Sequence, residues 1–207
     1  MKRNFILAIL LAFFVTSTFA QRPPTLTDDD VEATKTAKPK VEEKSKPTAP
    51  AAKNVNSNWT EVAPAASGFT ILMPARPKAS SQVQELPMLG KTELHLLQVS
   101  ERDNFYQAAY FKLPESSTVN INSSTFQQAF FSGMTQGFVK SVQGELVKET
   151  TINHEGFEGR EIQVKTPTAI IWSRMFLVNG MVYSLIFGST TNRADDQNKF
   201  FGSFTTK

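Results

Sequence analysis

Residues 168–188 read TAIIWSRMFLVNGMVYSLIFG: two apolar runs rich in β-branched and aromatic residues, joined by Asn179-Gly180. Asn-Gly tolerates the two positive φ angles of a type I′ turn, whose twist matches that of the strands it joins. The stretch therefore predicts a β-hairpin with a two-residue loop. Register follows from the loop. Val178 faces Met181, and counting outward sets Phe176 against Tyr183, Arg174 against Leu185 and Trp172 against Phe187 on one face. Leu177/Val182, Met175/Ser184, Ser173/Ile186 and Ile171/Gly188 take the other. Both faces are largely apolar, which places the hairpin at the centre of a sheet covered on both sides.

Working outward, Pro167 interrupts the chain before the hairpin and leaves the register across Thr166-Pro167 open, because proline fits poorly at the second corner of a two-residue hairpin turn. Residues 145–152 and 160–165 read as strands, with Ile162 and Val164 inward. Between them, residues 153–159 form a turn in which Gly156 and Gly159 supply positive φ. After the hairpin, Thr191 is the expected N-cap of a final helix with Asp195 and Asp196 in its first turn and Phe200, Phe201 and Phe204 on its buried side. Further upstream, residues 59–62, 68–74 (stopped by Pro74), 81–86, 92–100 and 104–113 read as strands, the third and fourth flanking Pro87-Met88-Leu89-Gly90.

The period changes over residues 124–140. Ser124 with Gln127 suggests a capping box, and Phe126, Phe130, Met134 and Phe138 recur every four residues beside Phe131. Such a stripe belongs on a sheet face, with Gly133 and Gly137 admitting close approach. About eight or nine strands, mostly hairpin-linked, predict an α+β fold: an antiparallel β-sheet packed against one long helix and a C-terminal helix.

That domain spans 58–207. Residues 1–20 carry Lys2 and Arg3, an unbroken apolar run over 5–15 and small residues up to Ala20, which is the pattern of a signal peptide. Its apolar core is shorter than the roughly 20 residues a bilayer span needs. The expectation is an exported protein, periplasmic or extracellular, soluble after cleavage near Ala20 and without a transmembrane anchor thereafter. Residues 21–57 are a Pro/Lys/Thr/Ala-rich stretch with almost no large apolar side chain, expected to be a disordered linker. With no cysteine in the chain, lipobox acylation, disulfides and thiol chemistry are all excluded.

The pI near 9.1 suggests a polyanion partner until charge is counted by segment. Residues 58–207 carry thirteen basic and thirteen acidic residues, and no stripe of Lys and Arg is interleaved with aromatics. Binding to nucleic acid by counterion release has no footprint here.

The motifs GFTILMPARP near the start of the domain, GFEGRE before the hairpin, RMFLVNGMVYSLIF within it and KFFGSF at the end resemble the PsbP-like family and its exported bacterial relatives. The resemblance implies an antiparallel sheet with helices against it, in an accessory, assembly or binding module outside the cytoplasm. It carries over no functional residue, since these motifs are turns and aromatics and not catalytic signatures.

Catalytic chemistry finds little support. His95 is expected on the outward side of a strand without an acidic or histidine neighbour at ligand spacing. His154 with Glu155 and Glu158 offers one histidine in a glycine turn, whereas a zincin needs two histidines sharing a helix face. Glu155, Glu158 and Glu161 cluster in sequence as a solvated rim. No phosphate-cradling glycine loop or serine-hydrolase elbow is present. No catalytic residue, metal ligand or cofactor is therefore expected.

Arg174 is the chemically odd member of the hairpin, a charge between Trp172 and Phe176 where an unpaired guanidinium would be costly. It is expected to rest its stem on aromatics and pair with a carboxylate, Glu161 being the candidate; the sharper reading makes it an anion-binding arginine at the floor of an aromatic pocket. The residues nominated for ligand or partner contact are thus Trp172, Arg174 and Tyr183. The functional expectation is a non-enzymatic binding or assembly module of the cell envelope, its partner an envelope protein or cell-surface component. The alternative is a carrier of a small anionic or lipid ligand near Trp172 and Arg174.

Overall fold

The computed structural model describes residues 59–65, 67–86, 90–114 and 120–207. The stretches read as a signal peptide (1–20) and a linker (21–57), and residues Pro87, Met88 and Leu89, lie outside the described residues. In chain order the elements are β1 (Thr60–Val62), β2 (Phe69–Met73), β3 (Lys78–Leu86), β4 (Gly90–Ser100), β5 (Asn104–Lys112), α1 (Ser124–Ser141), β6 (Glu145–His154), β7 (Phe157–Lys165), β8 (Ile170–Val178), β9 (Met181–Ser189), α2 (Ala194–Gly202) and β10 (Thr205–Thr206). The class is α+β, as expected.

Strands β8 and β9 form the expected hairpin. Asn179 and Gly180 adopt φ of 49° and 80°, and the pairs run from Val178↔Met181 through Trp172↔Phe187. The hairpin lies inside a seven-stranded antiparallel sheet of order β3-β4-β5-β9-β8-β7-β6, with β9 as its middle strand. Each face is buried because different elements cover it. On one side Met175, Leu177, Val182 and Ile186 meet Phe131, Met134 and Phe138 of α1. On the other, Phe176, Tyr183, Leu185 and Phe187 meet Phe69, Ile71 and Met73 of β2, Phe200 and Phe201 of α2, and Phe204.

That second cover includes a feature the sequence reading did not foresee. The short β10 pairs with β2, which also pairs with β1, so a separate three-stranded sheet of order β1-β2-β10 stands over the main one, and the strands among the described residues number ten. Phe204 follows α2 instead of belonging to it, but it packs in the same core.

Several local expectations shift. The turn over residues 153–159 contracts to Glu155-Gly156, with φ of 52° and 90°. Asn153 Oδ1 accepts a hydrogen bond from Gly156 N at 3.0 Å, so the polar residues read as a long turn instead tighten a two-residue one. Gly159 has no positive φ. It lies within β7 opposite Phe176, where an added Cβ would come within 2.5 Å of Met175 O and of the Phe176 ring; close approach is what requires glycine there. Pro167 occupies the first corner of a four-residue turn closed by Thr166 N donating to Ala169 O at 2.9 Å, which sets Lys165 opposite Ile170.

Helix α1 is capped by Ser123, whose Oγ accepts from Phe126 N at 3.1 Å, while Gln127 reaches Ile121 O and forms no capping box. Its buried residues are Phe131, Met134, Thr135 and Phe138. A strict four-residue row drifts by about 40° per step around an α-helix, so Phe126 and Phe130 are only part-buried, stacking on each other at 5.7 Å while still packing against the same core. Gly133 is exposed with open space around it and admits no close approach. Helix α2 begins after Arg193 with no side-chain cap; Thr191 is held instead by Ser189, whose Oγ donates to Thr191 O and accepts from Thr191 N.

Candidate functional site

The face of β8 and β9 under α2 and the small sheet carries all three nominated residues, but the fold treats them differently. Tyr183 is 3% exposed and donates to Ser67 O at 2.9 Å, with Phe69 and Phe204 against its ring. Burial pushes its phenol pKa up. Arg174 sits opposite Glu161 across β7–β8, its Nε 2.6 Å from Glu161 Oε2, and its guanidinium lies 4.7 Å from the Phe201 ring centroid. The pairing reading of this arginine therefore holds. Phe200, Phe201 and Phe204 fill the volume that an aromatic pocket between Arg174 and Tyr183 would have occupied.

Trp172 borders an opening. A cleft of about 530 Å³ lies at the end of the sheet, between the β7–β8 turn and the loop joining β9 to α2. Thr166, Thr168, Ala169 and Ile170 line one side, residues 189–192 the other, and the half-buried Trp172 indole the inner end. Both walls are tied down. Thr166 Oγ1 donates to Ala169 O and accepts from Ala169 N. The single proton of Ser189 Oγ has two acceptors in reach, Asn104 Oδ1 at 2.8 Å and Thr191 O at 2.6 Å, and Thr190 Oγ1 lies 3.5 Å from Asp103 Oδ1.

Behind the second wall, Asn104 Nδ2 approaches both the Tyr106 hydroxyl at 3.3 Å and Asp196 Oδ2 at 3.4 Å, while Arg193 binds Asp196 through Nε at 2.8 Å. Burial, then the charges of Asp196 and Glu101, push the Tyr106 phenol pKa far up. Sequence reading missed this cluster because its members are 85 and 92 residues apart and carry no motif; only the pairing of β5 with β9 unites them.

The histidines stand apart from the cleft. His95 stacks on Tyr110 with ring centroids 4.8 Å apart and has Glu93 at 4.0 Å, so the expectation of no acidic neighbour is corrected: residues two apart share a strand face. His154 ends β6 between Phe176 and Phe204, its buried Nε2 3.6 Å from Glu155 Oε2, beyond hydrogen-bond reach. Glu155 itself accepts from Thr206 N and Thr206 Oγ1, which hold its carboxyl pKa below the ordinary range. Glu158 pairs with Arg160. Among the described residues no group of three or more His, Cys, Asp or Glu is placed to hold a metal ion, and no helix is long and apolar enough to cross a membrane.

No protein-family model matches the chain, and no curated protein does. Among solved structures it is similar to the solution structure of cyanobacterial PsbP (CyanoP) from Synechocystis sp. PCC 6803. The sequence identity is 11% and the TM-score 0.48, over 77% of this chain and 98% of that one. No site residue comes across from that structure.

Proposed function

We propose that this protein is an exported, non-catalytic binding module of the cell envelope that engages its partner at the Trp172 end of the sheet. The observation that carries the reading is the cleft itself, a concavity with an indole at its inner end and walls fixed by hydrogen bonds. Its volume falls within the roughly 300–1,000 Å³ typical of small-molecule sites. Arg174 is paired with Glu161 and Arg193 with Asp196, and the lining itself carries no titratable side chain, which suits recognition better than acid–base chemistry. Export is supported by Lys2, Arg3 and the apolar run that follows.

A photo-crosslinking amino acid at Thr168 or Asn192 tests this. Both are exposed on the cleft rim, and Val83 on the distant edge strand β3 serves as the control. Incubated with envelope fractions of the source organism, the rim positions are expected to give a discrete adduct that Val83 does not. Adducts equal at all three positions, or none at the rim, would remove the reading.

A further inference from the structure

The chemistry of the cleft selects among ligands. Its lining contains no charged residue: five hydroxyl side chains, one amide, one alanine, one isoleucine and one tryptophan. Two cations nearby are committed, Arg193 to Asp196 and Arg174 to Glu161, while the exposed Lys165 precedes the cleft wall and is not part of the lining. Asp103 Oδ1 lies 3.5 Å from Thr190 Oγ1. A phosphate or carboxylate ligand would lose its water here without a guanidinium or ammonium to replace it, which is unfavourable. A lipid tail would strand the hydroxyls on the walls without partners.

What fits is a molecule with an apolar C–H face and a rim of uncharged hydroxyls. The indole of Trp172 can pack against such a face. Of the polar groups, those of Thr166 and Ser189 are used internally. The Thr168 and Thr191 side-chain hydroxyls and the Asn192 amide have no hydrogen-bond partner among the described residues, and all three residues are exposed. These groups supply uncharged donors and acceptors on both walls, matching a ligand whose hydroxyls both give and receive hydrogen bonds.

We infer that the Trp172 cleft binds a neutral carbohydrate of one or two rings, as a free sugar or the end of an envelope glycan. This deepens the binding-module reading and rests on it. The walls are braced by the Thr166–Ala169 and Ser189–Asn104–Thr191 contacts before any ligand arrives, so little ordering is needed on binding.

Titration of the purified protein with chitobiose, cellobiose and maltose, followed by saturation-transfer NMR and tryptophan emission, tests the inference. Inorganic phosphate and anionic phospholipid vesicles are the comparison probes. At least one disaccharide is expected to bind and to shift the emission. Trp172→Ala is expected to weaken it by about tenfold or more, and Trp172→Phe by less. Because Trp172 also touches the core, Asn192→Ala and Thr168→Val on the exposed rim repeat the test without burdening the fold. Each is expected to weaken binding severalfold with an unchanged melting temperature.

Silence from all three disaccharides overturns the inference, as does sugar binding indifferent to the rim variants or tighter binding of phosphate or vesicles. If the rim crosslink persists while the sugars fail, only the carbohydrate assignment falls. If both fail, the binding-module reading falls with it.

Discussion

Gly159 and Arg174 lie on the two strands of one pair, two register positions apart, and show how single side chains are constrained by a sheet covered on both faces. Gly159 faces Phe176, and a methyl group there would meet backbone oxygen and ring carbon together, neither of which can swing away. Gly159→Ala is expected to cost about 1–3 kcal/mol in urea denaturation, and an unchanged midpoint would contradict the close approach. Arg174 and Glu161 are both part-exposed, so their pairing is worth less than in a dry core. A double-mutant cycle of Arg174→Ala and Glu161→Ala should give a coupling of about 1 kcal/mol or less. The pairing was legible in sequence, since a mid-strand charge among aromatics requires a partner and the preceding strand carries a carboxylate. The closure of the space between Arg174 and Tyr183 was not, because the rings that fill it come from α2 and beyond.

Secondary elements titrate and tolerate change according to what they face. Tyr106 and Tyr110 on β5 and Tyr183 on β9 all have phenol pKa values raised by burial, Tyr106 the most. A phenol raised in the folded state keeps a proton that the unfolded chain releases near pH 10. Its contribution is therefore constant below about pH 10 and falls as pH rises beyond it. Urea midpoints should be level through neutral pH, drop above about pH 10, and drop less steeply in Tyr106→Phe. Glu155, with its pKa lowered by Thr206, has the opposite sign: its contribution is present above the ordinary carboxylate range near 4 and is lost as pH falls through the folded value. Glu155→Gln should remove that acid-side step. On α1, Gly133 is exposed with open space around it, and Gly133→Ala should stabilise by about 0.5–1 kcal/mol. That substitution would be harmful had the helix approached the sheet through Gly133, as its position among the phenylalanines suggested.

At the scale of the molecule the chain end closes the second core. Phe204 stacks on Phe176 at 5.6 Å and also meets Phe69, Tyr183 and His154, bridging the small sheet to the large one. Phe204→Ala should cost about 3–5 kcal/mol, and a loss below 1 kcal/mol would mean the two layers are not coupled through this ring. The central hairpin, its register and the two-sided burial were determined by residues 168–188 alone, because an Asn-Gly turn sets pairing locally and alternation of apolar side chains sets the faces. The antiparallel α+β plan followed from the same local signals repeated along the chain. Tertiary structure decided the rest: the small sheet over β8 and β9, the polar cluster joining Asn104 to Ser189 and Asp196, and the cleft at Trp172. These depend on contacts between residues far apart in sequence. No local propensity encodes which ring will fill a space and which will be left at its edge.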